Sequence, residues 1–359
     1  ALRELNADLG ADDAILFTHP LQAQVFSQAI GDDERRCRTV MQIHGDYRAR
    51  HPELYPMLLE ARSVVDDLQV VSNGLELDFD RHFPDDRVHW IPNIHEPVAI
   101  RERPRSDRVN VVLVGSFQDA KNQLDAVRMM QRLTDVDVKL TFWGNDDNPY
   151  GKYVREYVDR VGVGDRVVFA GIGSEQSVYG SADIVIIPSR SEGFGYPLVE
   201  AASHGIPVVA FDYHFGPRDV IDDGVNGFIV PDGDVDALAR RVGELAVDAG
   251  LRRRLGSAAA ERFEERLAPQ RIVDLYETLL GDYAGGRLPP DEDVVGTDPV
   301  VEHSFEVTPV RVKGRSFAFI LRFRSDRRLR DFQVESTARV RRVRAWRMGS
   351  RYVVPVMAS

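Results

Sequence analysis

Short apolar runs alternate along this chain with longer stretches in which apolar residues recur every three or four positions. In the first hundred residues the runs at 14–18, 39–43, 69–72 and 88–92 are bounded, apolar and rich in branched side chains, which predicts strands. Residues 21–30 and 54–67 carry the helical period between them. The same grammar restarts at Val109: strands are predicted at 109–114, 138–143, 166–170, 183–188 and 207–211. Helices follow from Leu124, Val127, Met130 and Leu133 on one face, then at 150–161 and 175–180. Residues 228–231 read as a short edge strand ended by Pro231. Asp234 caps a helix whose apolar face is Ala237, Leu238, Val242 and Leu245, and two more helices run to about Tyr283. Strands alternating with helices predict parallel sheets covered on both faces, an α/β architecture.

Beyond residue 295 the period changes to two. Phe317, Phe319, Leu321 and Phe323 alternate with Ala318, Ile320, Arg322 and Arg324, and Val340, Val343, Val353, Val354 and Val356 continue the theme. A small antiparallel β module is predicted. The polar, proline-bearing stretch 93–108 and the Gly/Pro/acidic stretch 285–295 read as linkers. The expected organisation is therefore a domain at 1–100, a second at 101–284, a linker at 285–295 and a β-rich module at 296–359.

Charge sharpens that division. The chain has a net charge of −11, yet residues 311–351 are dominated by arginine and opposed only by Asp326, Asp331 and Glu335. The last module is thus a basic piece on an acidic protein, which suggests an anionic partner for that end: a polymer or membrane surface, or alternatively a partner subunit. Nothing points to nucleic acid. The single cysteine, Cys37, excludes an internal disulfide, and no cysteine cluster suggests zinc. With no apolar run long enough to span a membrane and no leader pattern, the expectation is a cytoplasmic protein, with the inner face of the membrane as a candidate location.

The densest chemistry lies in Ser189-Arg-Ser-Glu-Gly-Phe-Gly-Tyr-Pro-Leu-Val-Glu200. An apolar strand precedes it, and Pro197 suits a first helical turn, where a missing N–H costs nothing. A glycine loop between strand and helix turns backbone N–H groups and the positive helix end toward one point, which suits a phosphate. Glu192 and Glu200 flank it. Carboxylates repel phosphate but accept hydrogen bonds from hydroxyls beside it, and phosphate flanked by hydroxyls describes a nucleotide sugar. Lys121 lies beyond another predicted strand as a point charge for phosphate. His44 ends a strand beside Gly45, and His19 is a weaker candidate of the same kind. Gly115, Gly144 and Gly171 close strands where a base or ribose could come near.

Taken together, residues 109–282 resemble the C-terminal domain of retaining glycosyltransferases of family 4, which have the GT-B fold of two Rossmann-like domains facing a cleft. The resemblance rests on Glu192 and Glu200 with seven residues between them, on Lys121-Asn122, on Asp183-Ile-Val-Ile-Ile-Pro-Ser189, on His204-Gly-Ile-Pro-Val-Val209 and on Asp223-Gly-Val-Asn-Gly-Phe228. It implies that Glu200 accepts the ribose hydroxyls and that Glu192 lies beside the transferred sugar. The amides of Gly193, Phe194, Gly195 and Tyr196 would hold the sugar and distal phosphate, Lys121 would neutralise the leaving diphosphate, and His44 would lie near the sugar. No metal and no cofactor is implied beyond a nucleotide-sugar co-substrate, UDP-linked, used on a hydroxyl acceptor such as an anionic surface polymer.

Two departures stand out. Family members commonly read Gly-Arg-Leu where this chain has Gly115-Ser116-Phe117, so a second phosphate cation is missing there, with Arg190 and Arg218 the candidates to replace it. The N-terminal domain also reads as abridged, its usual opening strand and glycine loop being unmatched. Both favour an alternative, a non-catalytic GT-B subunit that binds a partner or glycan; the presence of both glutamates argues against it. A dinucleotide dehydrogenase fits less well still, because Gly115-Ser-Phe-Gln-Asp-Ala lacks the G-x-G-x-x-G turn that fold needs for a pyrophosphate.

Overall fold

The structure, a computed structural model, describes residues 6, 7, 9, 14–31, 34–45, 55–61, 65–79, 87–99 and 108–281, and strands between 306 and 353. In chain order the elements are β1 (Ala14–Phe17), α1 (Pro20–Ile30), β2 (Arg38–Ile43), α2 (Tyr55–Ala61), β3 (Asp67–Val70), α3 (Asn73–Phe79) and β4 (Val88–Trp90). Then come β5 (Val109–Val114), α4 (Gln123–Arg132), β6 (Val138–Trp143), α5 (Pro149–Arg160), β7 (Val167–Gly171), α6 (Glu175–Gly180), β8 (Ile184–Ile187), α7 (Tyr196–Ser203), β9 (Val208–Phe211), α8 (Pro217–Val220) and β10 (Gly227–Val230). Helices α9 (Val235–Val247), α10 (Ala249–Arg266) and α11 (Pro269–Gly281) follow. The last strands are β11 (Glu306–Val312), β12 (Arg315–Arg322), β13 (Phe332–Ser336), β14 (Arg339–Val343), β15 (Trp346–Met348) and β16 (Arg351–Val353).

Two compact units emerge, one of Ala1–Val71, Leu75–Asn93 and Pro269–Ser359, the other of Ser72–Gly74 and Ile94–Ala268. In the first, β1 to β4 lie side by side in parallel and the sheet order is β11-β12-β1-β2-β3-β4. Its core is Phe17, Phe26, Met41, Ile43, Leu68 and Val70, all essentially without exposure. In the second, six parallel strands take the order β10-β9-β8-β5-β6-β7, and β8 and β9 are buried along their whole length. Strands buried on both faces read as continuous apolar runs because helices cover each side. Among the described residues no helix is long and apolar enough to cross a membrane.

The α/β class and the strand–helix order match the sequence reading, and four details differ from it. The predicted helix 54–67 ends, as far as it is described, at Ala61, because Asp67 already starts β3, where its carboxylate takes Arg38 and His89. Helix α3 has no counterpart in the prediction: with only Leu75 and Phe79 buried, its apolar period is too short to announce it. The second domain, read as running to residue 284, closes as a compact unit at Ala268. Helix α11 joins the first unit, where the Tyr276 hydroxyl accepts from Gln42 at 3.3 Å and the Leu279 carbonyl accepts from Arg38. Finally, β12 pairs antiparallel with β1, so β11 and β12 extend the first sheet while β13–β14 and β15–β16 form separate hairpins. Half of the linker at 93–108 (residues 100–107), all of that at 285–295, and Phe323, Val354 and Val356 lie outside the described residues.

Candidate functional site

Counted within the second unit, the strand order is 3-2-1-4-5-6, with β5 and β8 adjacent at the centre. After β5 the chain turns to one side of the sheet, and after β8 to the other. Such a switch point opens a crevice beyond the carboxyl ends of the strands. The loops that leave β5 and β8 are the stretches 115–122 and 188–195, which carry most of the residues singled out by sequence.

Those loops are stitched together. The Arg190 N–H donates to the Ala120 carbonyl at 2.9 Å. Asn122 reaches the Pro188 carbonyl with its Nδ2 at 3.0 Å and Asp125 at 2.7 Å. Its backbone is left-handed (φ 54°, ψ 46°), a conformation asparagine adopts more readily than most residues. This stitching sets Lys121 Nζ 2.5 Å from Glu192 Oε1, with the two side chains only 14% and 8% exposed. Ser189 Oγ donates to the same Oε1 at 2.7 Å. Among the described residues Glu192 thus has one oxygen committed and Oε2 left as an acceptor, while the Lys121 ammonium has three donors to share.

The glycines have steric reasons. A Cβ on Gly144 would lie 2.0 Å from the Gly115 carbonyl oxygen, so the ends of β5 and β6 approach as closely as they do only because residue 144 lacks a side chain, while a Cβ on Gly115 would press on the Lys121 side chain at 3.2 Å. Gly195 is left-handed (φ 75°) and caps α7; a Cβ there would meet Leu198 at 2.9 Å and the Tyr213 hydroxyl at 3.0 Å. Phe194 is buried edge-on to Tyr196, their centroids 5.2 Å apart. Burial, then the nearby Glu200, push the Tyr196 phenol up to about 12, so it stays a donor at any physiological pH.

Glu200 comes one turn into α7. Burial pushes its carboxyl above the usual range; the Tyr179 hydroxyl, which donates to Oε2, partly offsets this, and Glu175 adds to the rise. Behind it, His204 Nε2 lies 2.6 Å and His95 Nε2 3.5 Å from Glu175 Oε1. These three form the one group among the described residues whose donor atoms converge as a metal ion would need, all lying within 4.8 Å of one another.

The predicted residues Lys121, Glu192, Gly193, Phe194, Gly195, Tyr196, Glu200, Gly115, Gly144 and Arg190 all fall at this end of the second sheet or on the helix that follows it. Arg190 points to Asp119, 3.6 Å away and exposed, and Arg218 is forked on Asp212 at 2.6 and 3.0 Å. Ser116 is exposed, because Phe117 turns inward to ring contacts with Phe142 and Phe169 at 5.5 and 5.8 Å. His44, in the first unit, follows the carboxyl end of β2, is exposed and hydrogen-bonds the Asn93 side chain. His19 accepts from Leu21 N–H as the cap of α1, the structural role. Sequence reasoning missed Ser189, Asn122 and Tyr179 as supports of the two glutamates, since no local spacing announces partners that meet only in the fold.

Two α/β units built on parallel sheets, the second in Rossmann-like order, give a GT-B architecture. A solved structure of Anabaena HepE in complex with UDP shares it: TM-score 0.67, 18% identity, covering 79% of this chain and 82% of that one. Residues 99–262 match the family model described as glycosyl transferases group 1. Among curated proteins, the chain is 28% identical over 223 residues to N-acetyl-alpha-D-glucosaminyl L-malate synthase of Bacillus anthracis, covering 60% of this chain and 54% of the relative. It is 23% identical over 237 residues to poly(glycerol-phosphate) alpha-glucosyltransferase of Bacillus subtilis, covering 64% of this chain and 34% of the relative. The chain thus spans about half or less of the length of these two relatives.

Proposed function

We propose that this chain is a retaining glycosyltransferase of the family 4 type, moving a sugar from a UDP-linked donor to a hydroxyl acceptor. The observation that carries the reading is the switch-point arrangement: Glu192 and Glu200 flank the glycine turn after β8, with Lys121 from the β5 loop on Glu192. In this reading Glu200 accepts the ribose hydroxyls, with Tyr179 fixing its orientation. Glu192 Oε2 takes a hydroxyl of the transferred sugar, and the remaining donors of Lys121 meet the departing diphosphate. The diphosphate itself takes the acceptor proton on the face it leaves, which gives retention; catalysis is then positioning and stabilisation of the leaving charge. The chemistry needs no metal and no cofactor other than the donor. An acceptor that is an anionic surface polymer suits the basic C-terminal strands and the relative named for poly(glycerol-phosphate), and the reading is of a cytoplasmic enzyme with the inner face of the membrane as its candidate location.

The test is to incubate the protein separately with UDP-glucose, UDP-N-acetylglucosamine and UDP-galactose, with and without poly(glycerol phosphate), and to measure free UDP. Release from one of them, abolished in Glu192→Gln, is expected. Absence of turnover with every donor, together with no UDP binding, would establish instead the non-catalytic subunit that the serine at position 116 favours.

A further inference from the structure

Glu175, His95 and His204 take no part in the proposed transfer. They come from three separate segments of the second unit: the extended stretch 94–99, the first turn of α6, and the C-terminal cap of α7. Each ring is held by its own packing. His204 lies against the Tyr179 ring at 5.4 Å, and His95 meets the edge of Phe263 at 5.9 Å and 73°. Both imidazoles aim Nε2 at the same oxygen, Glu175 Oε1, at 2.6 and 3.5 Å. Glu175 is further held by the Val98 N–H at 3.3 Å. The histidine side chains are 6% and 7% exposed and the glutamate 20%, so the cluster is enclosed but reachable from its carboxylate side.

We propose that His95, Glu175 and His204 form a binding site for a divalent transition-metal ion, zinc being the ion that fits best. Donor chemistry selects the class. Two imidazoles and one carboxylate suit zinc and its neighbours, whereas calcium and magnesium take oxygen donors almost exclusively. Spacing agrees. Bonds of about 2.0–2.1 Å in a tetrahedron separate ligand atoms by roughly 3.3 Å. The separations here run from 2.6 Å to no more than 4.8 Å, on either side of that figure. Side-chain shifts on the order of 1 Å, within rings already oriented by packing, would bring all three to bonding distance. A fourth position falls to water or to Ser203 Oγ, which lies 3.1 Å from His95 Nε2 and keeps lone pairs free because it donates to the Glu200 carbonyl at 2.8 Å. The ion would tie the segment entering the unit to α6 and to α7, the helix that bears Glu200. Its role is a clamp behind the donor site rather than a participant in transfer, so the assignment stands whether or not UDP is the donor.

The test uses the full-length, tag-free chain stripped with chelator and titrated with cobalt chloride, followed by zinc sulfate in competition. Expected are visible cobalt bands of a low-coordinate site at one equivalent per chain, displaced by zinc. Affinity should fall by at least about 10–100-fold in His95→Asn and His204→Asn. Glu175→Gln supplies the same readout if either histidine variant fails to fold, and thermal unfolding without metal identifies which variants fold. UDP binding to the stripped protein should persist. No cobalt or zinc binding tighter than about 100 µM, or stoichiometric binding that survives all three substitutions, would overturn the site and leave a hydrogen-bonded triad.

Discussion

Each unit buries an ion pair in a parallel sheet, but at opposite ends of the strands. In the first unit Asp67 opens β3, and Arg38, which opens β2, meets it at 2.7 Å, with exposures of 4% and 8%; His89 adds a contact at 2.9 Å. That is the amino end of the strands. In the second unit Lys121 and Glu192 pair beyond the carboxyl ends of β5 and β8. The chemistry is similar and the surroundings are not. Asp67 has both oxygens taken by the protein, and although burial pushes its carboxyl up, the bonds from His89 and Arg38 outweigh this and hold it below the usual range. Glu192 keeps an oxygen in reserve. Glu200, on the same side of the sheet, is held above the usual range by burial. A pair whose groups are saturated serves the fold; a pair left incomplete at a switch point is arranged for something else.

The largest effect is expected of Asp67→Asn, which strands the Arg38 guanidinium in a buried position. Loss of about 3–5 kcal/mol in denaturant unfolding is expected, with UDP affinity unchanged in the fraction that stays folded. The sign with pH follows from the depressed carboxyl. The stabilisation is complete above the unfolded-state pKa of about 4 and fades as pH falls through the lower folded value, so variant and parent converge in acid. Next in size is Lys121→Ala, expected to lower turnover by about 10²–10³ and, because Glu192 keeps the Ser189 hydroxyl as a partner, to cost less stability than Asp67→Asn. The double variant with Glu192→Gln should lose little more than the worse single one, because the two act as a unit.

Smaller effects sharpen the contrast. Glu200→Gln should weaken UDP by about 10–100-fold, the worth of hydrogen bonds to a charged acceptor. Because its folded pKa is raised, Glu200 contributes stability below the unfolded value that is lost as pH rises through the folded one. The same substitution is therefore expected to leave the thermal midpoint unchanged or higher in alkaline buffer. Donor affinity of the parent should decline on acidification already above the ordinary carboxylate range. Smallest is Asp234→Ala, which removes the cap on Ala237 N–H at 2.8 Å and should cost about 1 kcal/mol with no effect on UDP.

How much of this was legible beforehand depended on whether the cause is local. Pro197, the glycine turn and the apolar run before it announce strand, loop and helix in one stretch, and the structure has β8, the loop and α7 there. Asp234 and the face Ala237, Leu238, Val242 and Leu245 likewise fix α9. What the chain does not declare is what meets across it. Tyr179 lies 21 residues from Glu200 and His95 108 residues from Ser203, and no period or spacing connects them. The strand order that brings Lys121 to Glu192 is set by packing, as is the return of α11 to the first unit. The β11–β12 pairing with β1 is of the same kind: alternation revealed strands but not their neighbour.

In the proposed function the carboxyl end of the β5–β8 pair holds a UDP-linked donor between Glu192 and Glu200. Calorimetric titration of UDP into the full chain, its Glu200→Gln variant and its Asp67→Asn variant tests it most directly. One site per chain is expected, weakened by about 10–100-fold in the first variant and unchanged in the second. Equal UDP affinity in the parent and Glu200→Gln, or no UDP binding by the folded parent, would contradict it.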